Sequence, residues 1–135
     1  MVRRVILDSG ILIASERGKL NLHRVVGDDD PAIAAVTASE ILVGVHSSTS
    51  ERQDVRAVHT EAFLAVFKIE PHDLVVARMH ALLPHWTKEN GQLRGPHDLI
   101  IAATAGATGR TLITTDASAR FDELPGVKAE TISLN

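Results

Sequence analysis

The sequence predicts an α/β domain built on a mainly parallel, five-stranded sheet, and three observations lead there. First, short strand-like runs recur at 3–7, 32–36, 67–70, 111–115 and 127–132. Each is too short for a helix, and most are rich in β-branched residues. Second, the stretches between them place apolar residues three or four apart, the spacing of an amphipathic helix. Third, strands and helices alternate along the chain, which implies right-handed crossovers and parallel pairing. At 135 residues the chain suits one domain with one core, spanning 1–135.

Residues 3–7, ending in Val5-Ile6-Leu7, form the first strand. Residues 11–17 make a short helix capped by Gly18. A second helix over 20–26 is stopped by Gly27 and the acidic turn Asp28-Asp29-Asp30-Pro31, and strand two covers 32–36. Ala38, Ile41, Leu42 and Val45 mark the next helix, and Val55, Val58, Phe63 and Val66 a longer one over 51–66, ahead of strand three at 67–70. Residues 73–89 are helical again. Pro84 inside them is expected to kink or split the helix, because its ring clashes with the preceding turn. The run 90–96 has loop chemistry. Residues 97–108 form a helix apolar nearly all round, hence central, whose Ala and Gly residues allow close packing. Strand four at 111–115, a short helix at 117–121 and strand five at 127–132 complete the chain.

Composition excludes several chemistries. There is no cysteine, so disulfides, thiolate metal sites and a cysteine nucleophile are out. Asp8 cuts the first apolar run short, so neither a signal peptide nor a membrane span is expected, and the cytoplasm is the expected location. A net charge of −3 weighs against general polyanion binding while leaving room for a local basic patch. Seven histidines show no H-E-x-x-H spacing, which weighs against zinc. With no tyrosine, Trp86 alone and three phenylalanines, base stacking on an aromatic platform is not the expected mode of RNA recognition.

The chemistry concentrates in Asp8, Glu40, Asp98 and Asp116. Asp8 ends strand one, Glu40 follows strand two, Asp98 opens the stretch Leu99-Ile100-Ile101-Ala102-Ala103, and Asp116 ends strand four. Open parallel sheets bind ligands at the carboxyl ends of their strands. Carboxylates converging there repel unless a cation joins them, and hard oxygen donors select Mg²⁺ or Mn²⁺. Each acid also has a structural reading. Thr37-Ala-Ser-Glu40 matches a capping box, which leaves Glu40 open to either role. Asp98 and Asp116 precede helices, where aspartate serves as N-cap or first-turn residue. For Asp8 no structural need is evident, and a carboxylate directly after a buried strand is costly unless paired.

The segments Asp8-Ser9-Gly10, 38–45, 97–105 and Leu112-Ile113-Thr114-Thr115-Asp116 resemble the four acidic motifs of PIN-domain ribonucleases, and specifically the VapC toxins of bacterial VapBC toxin–antitoxin pairs. The ending 121–127 is also similar to that family's close. Ser9-Gly10 departs from the family's more frequent Thr followed by Asn or Ser, though the hydroxyl is kept. The resemblance covers nearly the whole chain. It implies a three-layer PIN fold with sheet order 3-2-1-4-5 and an Mg²⁺-dependent endoribonuclease toxin acting on structured RNA such as tRNA or rRNA. It also implies a homodimer held in check by a VapB-type antitoxin. Asp8, Asp98 and Asp116 would hold the ion, with Glu40 acting through water.

Around these acids, Ser9, Thr114 or Thr115 are candidates to hydrogen-bond a carboxylate or water, with a turn-forming role as the alternative. Arg94 and His97 are candidate phosphate contacts, and Arg17, Lys19 and Arg110 candidate rim cations. Each has solvated surface, or a helix start for His97, as its plainer reading. Leu82, Leu83 and Trp86 suit either a dimer face or the core. Competing functions fit less well. A receiver domain needs an acidic pair after strand one and a phosphorylatable aspartate after strand three, where this chain has Glu70-Pro71. An Asp-x-Asp phosphatase lacks its second acid at Gly10. The remaining alternative is a catalytically silent PIN-fold binding module, and such relatives usually lose acids that are all present here.

Overall fold

The strand-like runs become a single all-parallel sheet in the computed structural model, which describes residues 2–134. Five strands, β1 (Arg4–Leu7), β2 (Asp30–Ala34), β3 (Lys68–Glu70), β4 (Thr111–Thr114) and β5 (Ala129–Thr131), lie in the order 3-2-1-4-5. Six α-helices connect them: α1 (Ser9–Glu16), α2 (Leu22–Val26), α3 (Ala35–His46), α4 (Ser50–Val66), α5 (Leu74–Glu89) and α6 (Pro96–Thr108). The centre of the sheet is β1, paired with β2 through Ile6↔Ala32 and with β4 through Ile6↔Leu112.

Because β1 is covered on both faces, Val5, Ile6 and Leu7 are all buried, which is why they form an unbroken apolar run. Successive residues point to opposite faces. Ile6, Ala34 and Leu112 join Val76, Leu83 and Ile101 in one apolar layer, under α5 and α6. Val5, Leu7, Ile33 and Ile113 join Ile11, Leu12 and Phe67, with Phe63 and Leu64 of α4 packed alongside. The result is the expected three-layer α/β/α sandwich. Helix α6 is as central as its composition implies, with six of its residues buried from Leu99 to Ala105. A side chain at Gly106 would come within 2.9 Å of the Met79 thioether methyl and 3.1 Å of the Gly126 carbonyl. Helix α5 and the turn before β5 can therefore approach only a glycine there.

Several expectations shift. Strand β2 starts at Asp30, not at residue 32, and α3 already begins at Ala35. A continuous apolar run such as 32–36 satisfies both periods and hides that boundary. Pro31 fits inside β2 because pairing with β3 begins only at Ala32, so no amide hydrogen is needed on that side. Helix α5 runs unsplit through Pro84. Leu83 is fully buried in the core while Leu82 is 62% exposed, so the two do not share one face. The expected helix at 117–121 is a pair of single 3₁₀ turns, Ala117–Ala119 and Phe121–Glu123, with Arg120 in the left-handed region at φ 47° between them.

Arg110 is the clearest correction, because it lies inside the protein and not on a rim. Only 2% exposed, it donates from one guanidinium nitrogen to the Val5 carbonyl at 3.1 Å and the Asp30 carbonyl at 2.8 Å. Its other terminal nitrogen lies 3.4 Å from Glu70 Oε1 and 3.6 Å from Asp30 Oδ2. The Glu70 carboxylate, itself buried, is further neutralised by Lys68 at 3.1 Å. Removing Arg110 would leave carbonyls unsatisfied and a buried acid short of one of its two cations. Arg110→Ala is therefore expected to lose about 3–5 kcal/mol in urea unfolding, and a loss below about 1 kcal/mol would contradict this account of the network.

Candidate active site

Every sequence-singled acid lies along the carboxyl edge of the sheet, where β1 and β4 run side by side. Asp8 directly follows β1 and is only 8% exposed. Its Oδ1 accepts the Ser9 N–H at 2.8 Å, capping α1, and its Oδ2 accepts the Thr114 hydroxyl at 2.9 Å. The Thr114 oxygen in turn accepts the Asp116 N–H at 3.0 Å. This short chain of hydrogen bonds couples the end of β1 to the end of β4. Asp8 thus has the structural role that sequence alone did not reveal. Both of its oxygens are nevertheless engaged by residues at the strand ends.

Glu40 is not part of a capping box. The N-cap of α3 is Ala34, with no side-chain bond, and Thr37 lies inside the helix, fully buried, with its hydroxyl unpartnered. Glu40 instead projects from the second turn of α3. Its Oε2 lies 3.5 Å from the Ser9 hydroxyl and 4.0 Å from His97 Nδ1, and its Oε1 is buried without a partner. Asp98 sits in the first turn of α6, whose N-cap Gly95 makes no side-chain bond. Asp116 is exposed, and there the capping reading holds, since its Oδ1 accepts the Ser118 N–H at 3.0 Å and the Ser118 hydroxyl at 2.6 Å.

Electrostatics show the acids facing one another. Burial pushes the Asp8 carboxyl up, against hydrogen bonds from Thr114 and Ser9 that favour its ionised form, and Asp116 pushes it further. Glu40 is raised by burial and then by Asp8, with His97 acting the other way. Asp98 is raised by burial, then by Asp8 and by Asp116, while His97 and Arg94 partly offset this. These are four carboxylates in a mutually repulsive field that His97 and Arg94 only partly offset.

That arrangement suits a hard divalent ion. All the donors are carboxylate oxygens, and Glu40 Oε1 is a buried acceptor with nothing to accept. Among the described residues no three His, Cys, Asp or Glu side chains stand close enough to form a ready-made cage. Mg²⁺ does not require one, because it keeps several waters and usually takes one or two carboxylates plus substrate phosphate oxygens.

The surrounding candidates divide. Thr114, not Thr115, holds Asp8. Thr115 is where a side chain on Gly10 would intrude, since a Cβ there would stand 2.7 Å from its hydroxyl, and Gly10 keeps that space open. His97 is 62% exposed beside Glu40. Arg94 is half-buried and bonds to backbone, while Arg17 and Lys19 are exposed. Sequence reasoning missed a groove between α1, α3 and α4, lined by Leu12, Ile13, Ile41, Arg56 and Phe63, that ends at Glu40. No local pattern could have shown a groove assembled from three separate helices.

With this geometry in view, comparison with known proteins is specific. The PIN-domain family profile matches residues 5–127. The ribonuclease VapC5 of Mycobacterium tuberculosis is 34% identical over 113 residues, 82% of each chain. The tRNA(fMet)-specific endonuclease VapC of Salmonella typhimurium is 25% identical over 115 residues, 85% of this chain and 80% of that one. The crystal structure of VapBC-5 from Mycobacterium tuberculosis, a member of the VapBC toxin–antitoxin family, superposes with a TM-score of 0.80 at 28% identity, covering 95% of this chain and 98% of that one. The chain belongs to the PIN-domain family and, within it, to the VapC ribonucleases. No described helix is long and apolar enough to cross a membrane.

The raised Asp98 pKa fixes the sign of a stability effect. Its carboxyl binds a proton more tightly when folded, so its favourable contribution is present below the unfolded value of about 4 and is lost as pH rises through the folded value. Without divalent cations, Asp98→Asn should melt higher than wild type at pH 7, and this gain should fade toward pH 4. A melting temperature lowered equally at both pH values would instead mark Asp98 as a helix-start residue only.

Proposed function

We propose that this chain is an Mg²⁺-dependent endoribonuclease, active with Mn²⁺ in its place, that acts as the toxin of a VapBC pair. The observation that carries the reading is the crevice where Asp8, Glu40, Asp98 and Asp116, from four separate segments, meet at the junction of β1 and β4. Asp8, Asp98 and Asp116 would hold the ion directly or through water, and Glu40 would orient water beside it. When bound, the ion supplies Lewis-acid chemistry that makes water nucleophilic near neutral pH and offsets charge building on the scissile phosphate. The chain's own residues fix that geometry. Thr114 and the Ser9 amide orient Asp8 and favour its ionised form against burial, and Ser9 and His97 flank Glu40.

Structured RNA, tRNA or rRNA, is the proposed substrate class. The relative named for tRNA(fMet) supports it, as does the scarcity of aromatic residues, which disfavours stacking on single strands. An antitoxin is the proposed partner, supported by the toxin–antitoxin neighbour and by the groove that leads to Glu40. A basic residue reaching the crevice would satisfy the same carboxylates through charge-assisted hydrogen bonds. The exposed apolar residues Leu74, Val75 and Leu82 along α5 support a homodimer. The cytoplasm, where such RNAs are found, completes the reading. A silent RNA- or protein-binding module has no comparable support, since the acids are all kept.

The test is cleavage of total tRNA and rRNA by purified protein with Mg²⁺, Mn²⁺ or chelator. Asp8→Asn should reduce cleavage to background while leaving the fold intact, and Glu40→Gln should slow it at least about tenfold. Wild-type rates in a folded Asp8→Asn protein, or equal cleavage in chelator, would reject the metal-dependent site. RNA binding without any cleavage would favour the silent module.

A further inference from the structure

Arg94 binds only neutral oxygens, and those oxygens belong to two different walls of the crevice. One terminal nitrogen donates to the Gln92 carbonyl at 3.0 Å. The other donates to Gln92 Oε1 at 3.2 Å and to the Arg120 carbonyl at 3.2 Å, and Nε is buried without a partner. Arg94 lies in the segment that leads through Gly95, the N-cap of α6, to Asp98. Arg120 closes the 3₁₀ turn that Asp116 caps. It is also the non-glycine residue held at positive φ, 47°, a conformation that persists only where surroundings enforce it. On its far side that turn is anchored by Phe121, which is 2% exposed. On its near side the Arg94 fork reaches its Arg120 end and the Thr114 hydroxyl its Asp116 end.

We propose that Arg94 is a positioning residue that ties the loop before Asp98 to the turn after Asp116 and so holds these two acids at a fixed mutual spacing. The role rests on the crevice being the metal-dependent nuclease site proposed above, although the tie itself does not depend on metal. A planar guanidinium can serve acceptors on two segments at once, whereas an ammonium is a point donor on a flexible stem. Since both terminal nitrogens are already engaged by carbonyls, Arg94 is poorly placed to turn toward an RNA phosphate.

The full-length protein with Arg94→Gln and, separately, the milder Arg94→Lys provides the test. Amide hydrogen exchange at 117–121 is followed in chelator, and Mn²⁺ binding is read from the melting-temperature shift. With the tie lost, exchange in that turn should quicken at least about tenfold in Arg94→Gln. The Mn²⁺ midpoint should rise by about the same factor, kcat should fall and KM for RNA should hold. Arg94→Lys should fail to restore either the protection or the midpoint. Exchange and midpoint within about twofold of wild type would overturn the tie. So would a raised KM with a weaker salt dependence and unchanged exchange, which would make Arg94 a phosphate contact. If the wild type neither binds Mn²⁺ nor cleaves RNA, the nuclease reading fails, and the exchange measurement still decides whether Arg94 makes the tie.

Discussion

Parallel pairing of β1 with β4 at the middle of the sheet is the constraint on which the acidic crevice depends. The register Leu7↔Ile113 brings the residues that follow, Asp8 and Thr114, within hydrogen-bonding reach. It also brings the amide of Asp116 to the Thr114 hydroxyl. Helices leave both sides of this junction, α3 from β2 and α6 toward β4, and they deliver Glu40 and Asp98 to the same edge. Strand order 3-2-1-4-5 places that edge where the chain direction of the crossovers reverses, the position at which open α/β sheets gather ligands. The apolar layers on either face make this register costly to change, because a slip of one residue would exchange Ile6 with its neighbours Val5 and Leu7 across the sheet.

The fold treats charge in opposite ways inside and outside the crevice. Away from the strand ends that carry Asp8 and Asp116, charge is matched. Arg110 is enclosed by Glu70, Asp30 and backbone carbonyls, and Arg3 spans Asp29 and Glu130. At the crevice, acids are gathered with only His97 and Arg94 to offset them, and burial together with mutual repulsion raises Asp8, Glu40 and Asp98. A protein that encloses Arg110 among acids and leaves Asp8, Glu40 and Asp98 short of cations has an asymmetry that packing does not explain. A ligand that supplies positive charge would explain it, and by binding the folded state alone it would offset that repulsion.

Much of this was legible in the residues themselves. Short apolar runs buried on both faces marked β1, β2 and β4, and the small, apolar 97–108 segment marked α6 as central. Asp8 and Asp116 announced themselves by standing at the ends of β1 and β4. The rest depended on contacts between distant segments. The sequence could not show that Glu40 avoids a capping box, because Thr37-Ala-Ser-Glu40 has the right letters while α3 begins before them. Arg110 looked like any surface cation until three strands closed around it. Thr114 and Thr115 are adjacent and chemically alike, and only the pleat decides that the first faces Asp8 and the second Gly10. The Arg94 contact joins residues whose proximity exists only after α6 and β4 have packed.

The central claim is that crowded carboxylates, whose hold on protons burial and mutual repulsion raise, are what a divalent ion binds. Its most direct test is calorimetric titration with Mn²⁺ at about pH 5, above the ordinary carboxylate values, in two buffers of different ionisation enthalpy. Metal binding to groups of raised pKa must expel their protons. The apparent heat should therefore differ between the buffers for wild type, reporting net proton release, and the difference should shrink in Asp98→Asn. Identical heats in both buffers, with Mn²⁺ demonstrably bound, would contradict the account.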